Sequence, residues 1–217
     1  MTLRPRVRFP AARSVFINCP FDTDFQPIFR AMVFTIVVSG YQPRCALDST
    51  DGAEVRVNKI ARLIGQCDWG IHDLSRVEVA PGGLPRFNMP MELGLHLGAR
   101  LLGEGRHRRK RALILDAERH RYDAALSDIS GQDIESHGND PDEAIRCVRD
   151  WLSDHRPRDA PPLPGARAIR GDYRLFNAEL ADQLARRRLD LETLTHSDFV
   201  YAIRDWIEFR ADREFIG

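Results

Sequence analysis

Short apolar runs alternate along the chain with longer segments in which apolar residues recur every three or four positions. The runs at residues 15–19, 69–74 and 112–116 are too short for buried helices and end in polar residues, which is typical of buried strands. Weaker strands are predicted at residues 43–47, where Pro43 opens the run, and within residues 129–136. The chain therefore contains five candidate strands.

The segments between these strands have helical periodicity. Helices are predicted at residues 25–38, 54–66, 89–102 and 140–154. Strands that alternate with helices form βαβ units, whose parallel sheet is covered by helices on both faces. We predict a three-layer α/β fold with strand order 2-1-3-4-5.

A proline-rich segment follows the last of these units. Residues 156–165 contain four prolines and are predicted to form a linker between an α/β domain at residues 1–155 and a helical extension at residues 166–217. About 50 residues with few large apolar anchors bury little surface on their own. We therefore expect the extension to pack on the first domain.

Charge and cysteine content restrict the partners and the compartment. The chain has 32 acidic and 32 basic residues, and this balance argues against nucleic acid or a membrane surface as a partner. We interpret the basic run at residues 106–111 as a solvated or strand-flanking face. The apolar-rich stretch at residues 31–39 is too short to span a bilayer, and residues 1–10 have no apolar segment of the kind found in a signal peptide. Four cysteines without C-x-x-C spacing are expected to be small buried hydrophobes in a cytoplasmic protein.

Polar residues follow the predicted strands at the edge where ligands bind in open parallel sheets. The first and third strands lead into Asn18, Cys19, Pro20 and Phe21, and into Asp73, Ser75 and Arg76. The loop before the third helix brings Arg86, Asn88 and Glu92 to the same edge. Arginines there are candidate phosphate ligands.

Two of these segments resemble a known family. Met91-Glu92-Leu93-Gly94, with a second glycine at Gly98, follows a strand and a loop as in the nucleoside 2-deoxyribosyltransferases and the related deoxynucleotide N-glycosidases. The opening segment at residues 15–21 resembles the first strand and glycosyl-binding loop of that family, and is nearly as similar to the start of a TIR domain. The resemblance spans residues 14–116 and implies a flavodoxin-like fold.

The resemblance implies an enzyme that cleaves the bond between base and ribose in a nucleotide, a nucleoside or NAD. Glu92 would be the nucleophile or the stabiliser of the oxocarbenium ion, and Asp73 would orient the ribose or assist proton transfer. The strand-end residues Asn18 and Ser75 would bind sugar or phosphate. We expect Glu92 in the first turn of its helix, where the helix dipole favours the ionised carboxylate. By analogy with TIR-type NAD hydrolases, antiviral defence is the expected context.

The chain departs from this family at one position. The transferases have an acidic residue on the helix before the third strand, and the corresponding residue here is Ile60. This favours an alternative, a non-catalytic TIR-like module that binds a nucleotide or assembles with itself or a partner protein through the C-terminal helices. No cofactor or metal is expected, because Glu92 and His96 lack a third ligand. We interpret His72 as a core histidine and Gly94 and Gly98 as sites of close helix–strand packing.

Overall fold

The computed structural model of the protein describes residues 13–48, 51–76, 86–119, 121, 126–129 and 131–214. The N-terminal residues 1–10 and most of the predicted loop at 77–87 lie outside this set. The strands are β1 (Ser14–Asn18), β2 (Gln42–Cys45), β3 (Trp69–Asp73), β4 (Arg111–Asp116) and β5 (Ile134–Ser136). The helices are α1 (Gln26–Val38), α2 (Arg56–Gln66), α3 (Asn88–Leu102), α4 (Pro141–His155), α5 (Ala166–Arg186) and α6 (His196–Glu214). Short 3₁₀ turns occur at Thr23–Phe25, Ala46–Asp48, Gly105–Arg109 and Ser127–Ile129.

The five strands form one parallel sheet in the order β2-β1-β3-β4-β5, which confirms the predicted fold class and strand order. The register places Asn18 beside His72, and Asp73 beside Leu115. Asp116 is in turn paired with Ser136. Polar residues at the carboxyl ends of four strands therefore lie along one edge of the sheet.

Alternate residues of the strands face two separate layers of helices. On one face, Val15, Ile17 and Ile71 belong to a core that includes residues of α1, α4, α5 and α6. On the other face, Phe16 packs with α2, and Ile114 packs with α3. Both faces are buried, as expected for parallel strands with continuous apolar runs.

Helix α1 is buried on all sides from Ala31 to Val37 because it lies between the sheet and the C-terminal helices. Phe34 of α1 is fully buried, and its ring centroid lies 5.2 Å from Tyr173, 5.3 Å from Phe176 and 5.9 Å from Trp206. Residues of α5 and α6 thus share a core with the sheet. The division into domains at residues 156–165 remains a prediction.

The basic run at residues 106–111 flanks β4, as one of its two predicted interpretations has it, but it is not solvated throughout, because Lys110 is buried. The side chain of Lys110 is buried, and its Nζ donates to the carbonyl oxygens of Ile64, at 2.6 Å, and of Cys67. Arg106 donates to Asp68 Oδ1 at 2.6 Å and to the carbonyl oxygen of Gly65. These cations satisfy carbonyls at the end of α2 and favour its negative dipole end. Burial lowers the pKa of Lys110.

The four cysteines are buried and none is disulfide-bonded, as expected for small apolar side chains. Within the described ranges, no helix combines the length and apolar character needed to cross a bilayer.

Candidate functional site

Asp73 and His137 join the carboxyl ends of β3 and β5 across β4. Asp73 Oδ1 accepts a hydrogen bond from the Ser75 backbone N–H at 2.9 Å, and Asp73 Oδ2 lies 3.0 Å from His137 Nε2. The Ser75 hydroxyl is 3.0 Å from the same nitrogen. All three residues are buried. Asp73, predicted to contact the substrate, uses both carboxylate oxygens inside the protein.

This Asp–His–Ser group differs from a catalytic triad. In a triad, the serine and the aspartate contact opposite nitrogens of the imidazole. Here both face Nε2, while the Asn139 backbone N–H donates to Nδ1 at 3.0 Å. Since Nδ1 is an acceptor, neutral His137 has its proton on Nε2 and donates it toward Asp73. The arrangement positions the strand ends and does not activate Ser75.

Asn18 fixes the start of α3 against the sheet. Its Nδ2 donates to the Met89 carbonyl oxygen at 2.8 Å and lies 3.1 Å from His72 Nδ1. Both N–H groups of the amide are thereby used, and the side chain is buried. Because Met89 is in the first turn of α3, this contact sets where Glu92 lies relative to the strand ends.

Glu92 lies in the second turn of α3 and not in the first, because the helix already begins at Asn88. The residue is 5% exposed. In the part of the chain that the structure describes, no donor hydrogen-bonds to its carboxylate, and burial raises its pKa to about 7, with a smaller opposing effect from Arg56. Burial therefore opposes the ionisation that the helix dipole was expected to favour.

The thiol of Cys19 lies among the acidic side chains of this edge. Burial raises its pKa, and the carboxylates of Asp73, Glu92 and Asp22 raise it further. A thiol with a raised pKa is a poor nucleophile at neutral pH. Cys19 therefore contributes shape to the site and not a nucleophile.

Two of the predicted phosphate ligands flank one of these acids. Arg86 Nη1 lies 3.3 Å from Asp22 Oδ2, and Arg76 Nε lies 3.9 Å from the same oxygen. Both guanidinium groups are partly exposed. The structure thus brings two cations from separate parts of the chain to one point at the edge of the sheet.

The other predicted ligand residues have different surroundings. Pro20 is buried, whereas Asn88 is exposed at the start of α3. Phe21 is half-buried and packs edge-on against Phe29, with 5.4 Å between ring centroids. Phe21 and Pro20 therefore shape the turn after β1.

His72 and His96 form a buried pair beneath α3. Their ring centroids are 4.8 Å apart, and burial holds the pKa of His72 well below its usual value and lowers that of His96 to about 4. Both are therefore neutral, and His72 is the core histidine that the pattern predicted. A Cβ on Gly70 would lie 2.7 Å from His72 Nε2 and from His96 Cε1, so glycine is required there.

The prediction that Gly94 and Gly98 permit close packing is wrong. Among the described residues, nothing lies within 4 Å of a Cβ built on either glycine. Gly70 of β3 has the close contact that the pattern had placed on α3.

Sequence reasoning missed two polar residues at the carboxyl ends of the strands, Asp116 and His137. Asp116 ends β4, and its Oδ1 accepts from Arg121 Nη2 at 2.7 Å, while burial raises the pKa of its carboxyl group. His137 directly follows β5. The strand-end rule that selected Asp73 would have selected both, had it been applied to the fourth and fifth strands.

Comparison with known proteins identifies no family. No protein-family model matches the chain, and no curated protein matches it in sequence. The resemblance to the deoxyribosyltransferases and TIR domains therefore rests on the motifs of the chain itself.

Proposed function

We propose that the protein is an N-glycosidase-type enzyme that cleaves the base–ribose bond of a nucleotide, a nucleoside or NAD. The observation that supports this most strongly is Glu92, a buried carboxylate at the carboxyl edge of a parallel sheet. Its pKa of about 7 means that both protonation states are populated at neutral pH. Titratable groups shifted in this way by burial are frequent in active sites.

The chemistry requires one anionic group near the anomeric carbon. As the C–N bond breaks, its electron pair leaves with the base, and positive charge develops on the sugar. Ionised Glu92 stabilises this charge or bonds to the anomeric carbon, and water then releases the sugar and restores the carboxylate. The departing base takes its proton from solvent or from another acid of the site.

The arginines favour a phosphorylated substrate. Asp22 lies between Arg76 and Arg86, and a phosphate is a stronger partner for two guanidinium groups than one partly exposed carboxylate. We therefore propose that a substrate phosphate contacts Arg76 and Arg86. Because Asn18 and Asp73 are bonded inside the protein, we assign them positioning roles.

Ile60 supports a second candidate, a nucleotide-binding module without turnover. It is buried in the core between α2 and Phe16, at the position where the transferases have an acid. In that case the edge of the sheet would bind a nucleotide without an acid to protonate the base.

One assay separates the two candidates. The full-length protein is incubated with NAD and with a panel of deoxynucleosides and their monophosphates, and free base is measured by chromatography. Base release supports the glycosidase. Saturable binding of a nucleotide without base release supports the binding module. If the protein neither binds a nucleotide nor releases base, both candidates are contradicted.

A further inference from the structure

A second cluster of side chains lies apart from Glu92, at the edge strand of the sheet. Cys45 ends β2, Asp48 belongs to the 3₁₀ turn that follows, and His196 is the first residue of α6. One ligand atom from each of the three residues lies within 4.8 Å of the others. The cluster therefore joins the C-terminal helices to the sheet.

The distances within the cluster suit a small divalent cation. Asp48 Oδ1 lies 3.4 Å from His196 Nε2 and 3.7 Å from Cys45 Sγ. Bonds of about 2.0–2.3 Å at tetrahedral angles would place ligand atoms roughly 3.3–3.8 Å apart. These two separations fall within this range, and the third, between Cys45 and His196, is at most 4.8 Å. A cation would therefore need to draw the thiol and the imidazole together by no more than about 1–1.5 Å.

The side chain of His196 provides independent evidence for a ligand, because its ring nitrogens lack hydrogen-bond partners among the described residues. The residue is 8% exposed, and both ring nitrogens are buried without a hydrogen bond in the described part of the chain. Leaving such a group buried and unsatisfied destabilises the fold. Contact with the Asp48 carboxylate meets the distance of an ion pair but not the geometry of a hydrogen bond.

We propose that Cys45, Asp48 and His196 form a binding site for Zn²⁺ or a chemically similar transition-metal cation, with water as a fourth ligand. A thiolate, an imidazole and a carboxylate are the donor types that zinc prefers, whereas a thiolate disfavours magnesium and calcium. The Cys45 thiol proton leaves to solvent when the sulfur binds the metal. Arg44 pairs with the other oxygen, Oδ2, of Asp48, while Oδ1 accepts the Cys45 backbone N–H at 3.1 Å and keeps a second lone pair for the cation.

The site would fasten the start of α6 to the end of β2. Among the described strands, β2 is the outermost beside β1, and β1 is the one strand that pairs with it. A cation shared by β2 and α6 adds a link between this outer strand and the C-terminal helices. The proposal is independent of the glycosidase function, since it concerns binding and stability.

The test uses the full-length protein, stripped of metal by a chelator and then titrated with Co²⁺. We expect one cobalt per chain, with the near-ultraviolet absorption of a cobalt–thiolate bond. Cys45→Ser should abolish this absorption, while Cys147→Ser, which alters a buried thiol elsewhere, should retain it. Asp48→Asn and His196→Gln should weaken Zn²⁺ binding by about tenfold or more, and His155→Gln should not.

Thermal unfolding provides the second readout. Zn²⁺ should raise the Tm of the wild type and of Cys147→Ser, but not that of His196→Gln, and circular dichroism would verify that each variant is folded. Absence of thiolate absorption in the wild type, or its persistence in Cys45→Ser, would overturn the proposal. The wild-type spectrum decides the outcome even where a variant fails to fold.

Discussion

Glu92 differs from the other buried acids of the sheet edge in what surrounds it. Asp73 is bonded to His137 and to the Ser75 amide, and Asp116 accepts from Arg121. Among the residues that the structure describes, Arg56 is the one charge that offsets the burial of Glu92. A carboxylate in such surroundings gains nothing for folding when it ionises, so its retention in the core needs a reason other than stability.

This difference predicts how stability depends on pH. The pKa of Glu92 rises from 4.5 to about 7 on folding, so the folded protein retains a proton that the unfolded chain loses between these values. The associated stability is fully present below pH 4.5 and is lost as the pH rises to about 7. A shift of this size corresponds to a loss on the order of 3 kcal/mol.

Glu92→Gln should remove this part of the pH dependence. The measurement is the free energy of unfolding, obtained with denaturant at a series of pH values. Between pH 4 and pH 8, this free energy should fall less for the variant than for the wild type. Parallel curves for the two proteins would show that folding does not raise the pKa of Glu92.

At the level of single residues, the sequence predicts which residues lie near the carboxyl ends of the strands better than it predicts the contacts of their side chains. Asn18, Asp73 and Glu92 were found because strand ends and the Glu-Leu-Gly motif are local features. Their hydrogen bonds and the pKa of Glu92 depend on residues distant in the chain, such as Met89 and His137. No pattern along the sequence specifies such contacts.

At the level of elements, strands and helices were predicted from apolar runs and periodicity, with bounds that shifted by a few residues. The first helix was found, but its burial on all sides requires the C-terminal layer. The basic run at residues 106–111 shows the reverse problem. Its composition indicates solvent, whereas Lys110 is buried because the end of α2 needs donors.

The packing of α3 on β3 depends on Gly70. Gly70→Ala would place a methyl group 2.7 Å from His72 Nε2 and from His96 Cε1. We expect a loss of about 1–3 kcal/mol in the free energy of unfolding, since the two rings have no room to retreat.

Gly94→Ala is the matched control on α3, where a Cβ meets open space among the described residues. It should leave stability unchanged or raise it by about 0.5–1 kcal/mol, because alanine favours the helix. Denaturant unfolding of both variants provides the measurement. Equal effects would contradict the assigned roles of the two glycines.

At the level of the whole molecule, the C-terminal helices complete the core of the sheet. Phe176 of α5 is fully buried against Phe34, whereas its neighbour Leu175 is 39% exposed. Phe176→Ala should lower the free energy of unfolding by about 3–5 kcal/mol, and Leu175→Ala by less than about 1 kcal/mol. The loss should appear in one cooperative transition.

Two transitions in the wild type, with only one affected by Phe176→Ala, would indicate an independent C-terminal domain. A peptide of residues 166–217 that folds cooperatively by itself would indicate the same. The proline-rich segment predicts from sequence where the C-terminal extension begins. Which helices the extension covers depends on the apolar surface of α1 and α4, which no local pattern specifies.

The proposed function depends on Glu92 performing chemistry at the carboxyl ends of the strands. The most direct test measures base release and Tm together for the wild type, Glu92→Gln and a control, Glu104→Gln, which alters an exposed glutamate. We predict that Glu92→Gln retains the fold and loses base release by orders of magnitude, because a neutral amide neither captures nor stabilises an oxocarbenium ion. Glu104→Gln should match the wild type. Full turnover by a folded Glu92→Gln variant would contradict the account.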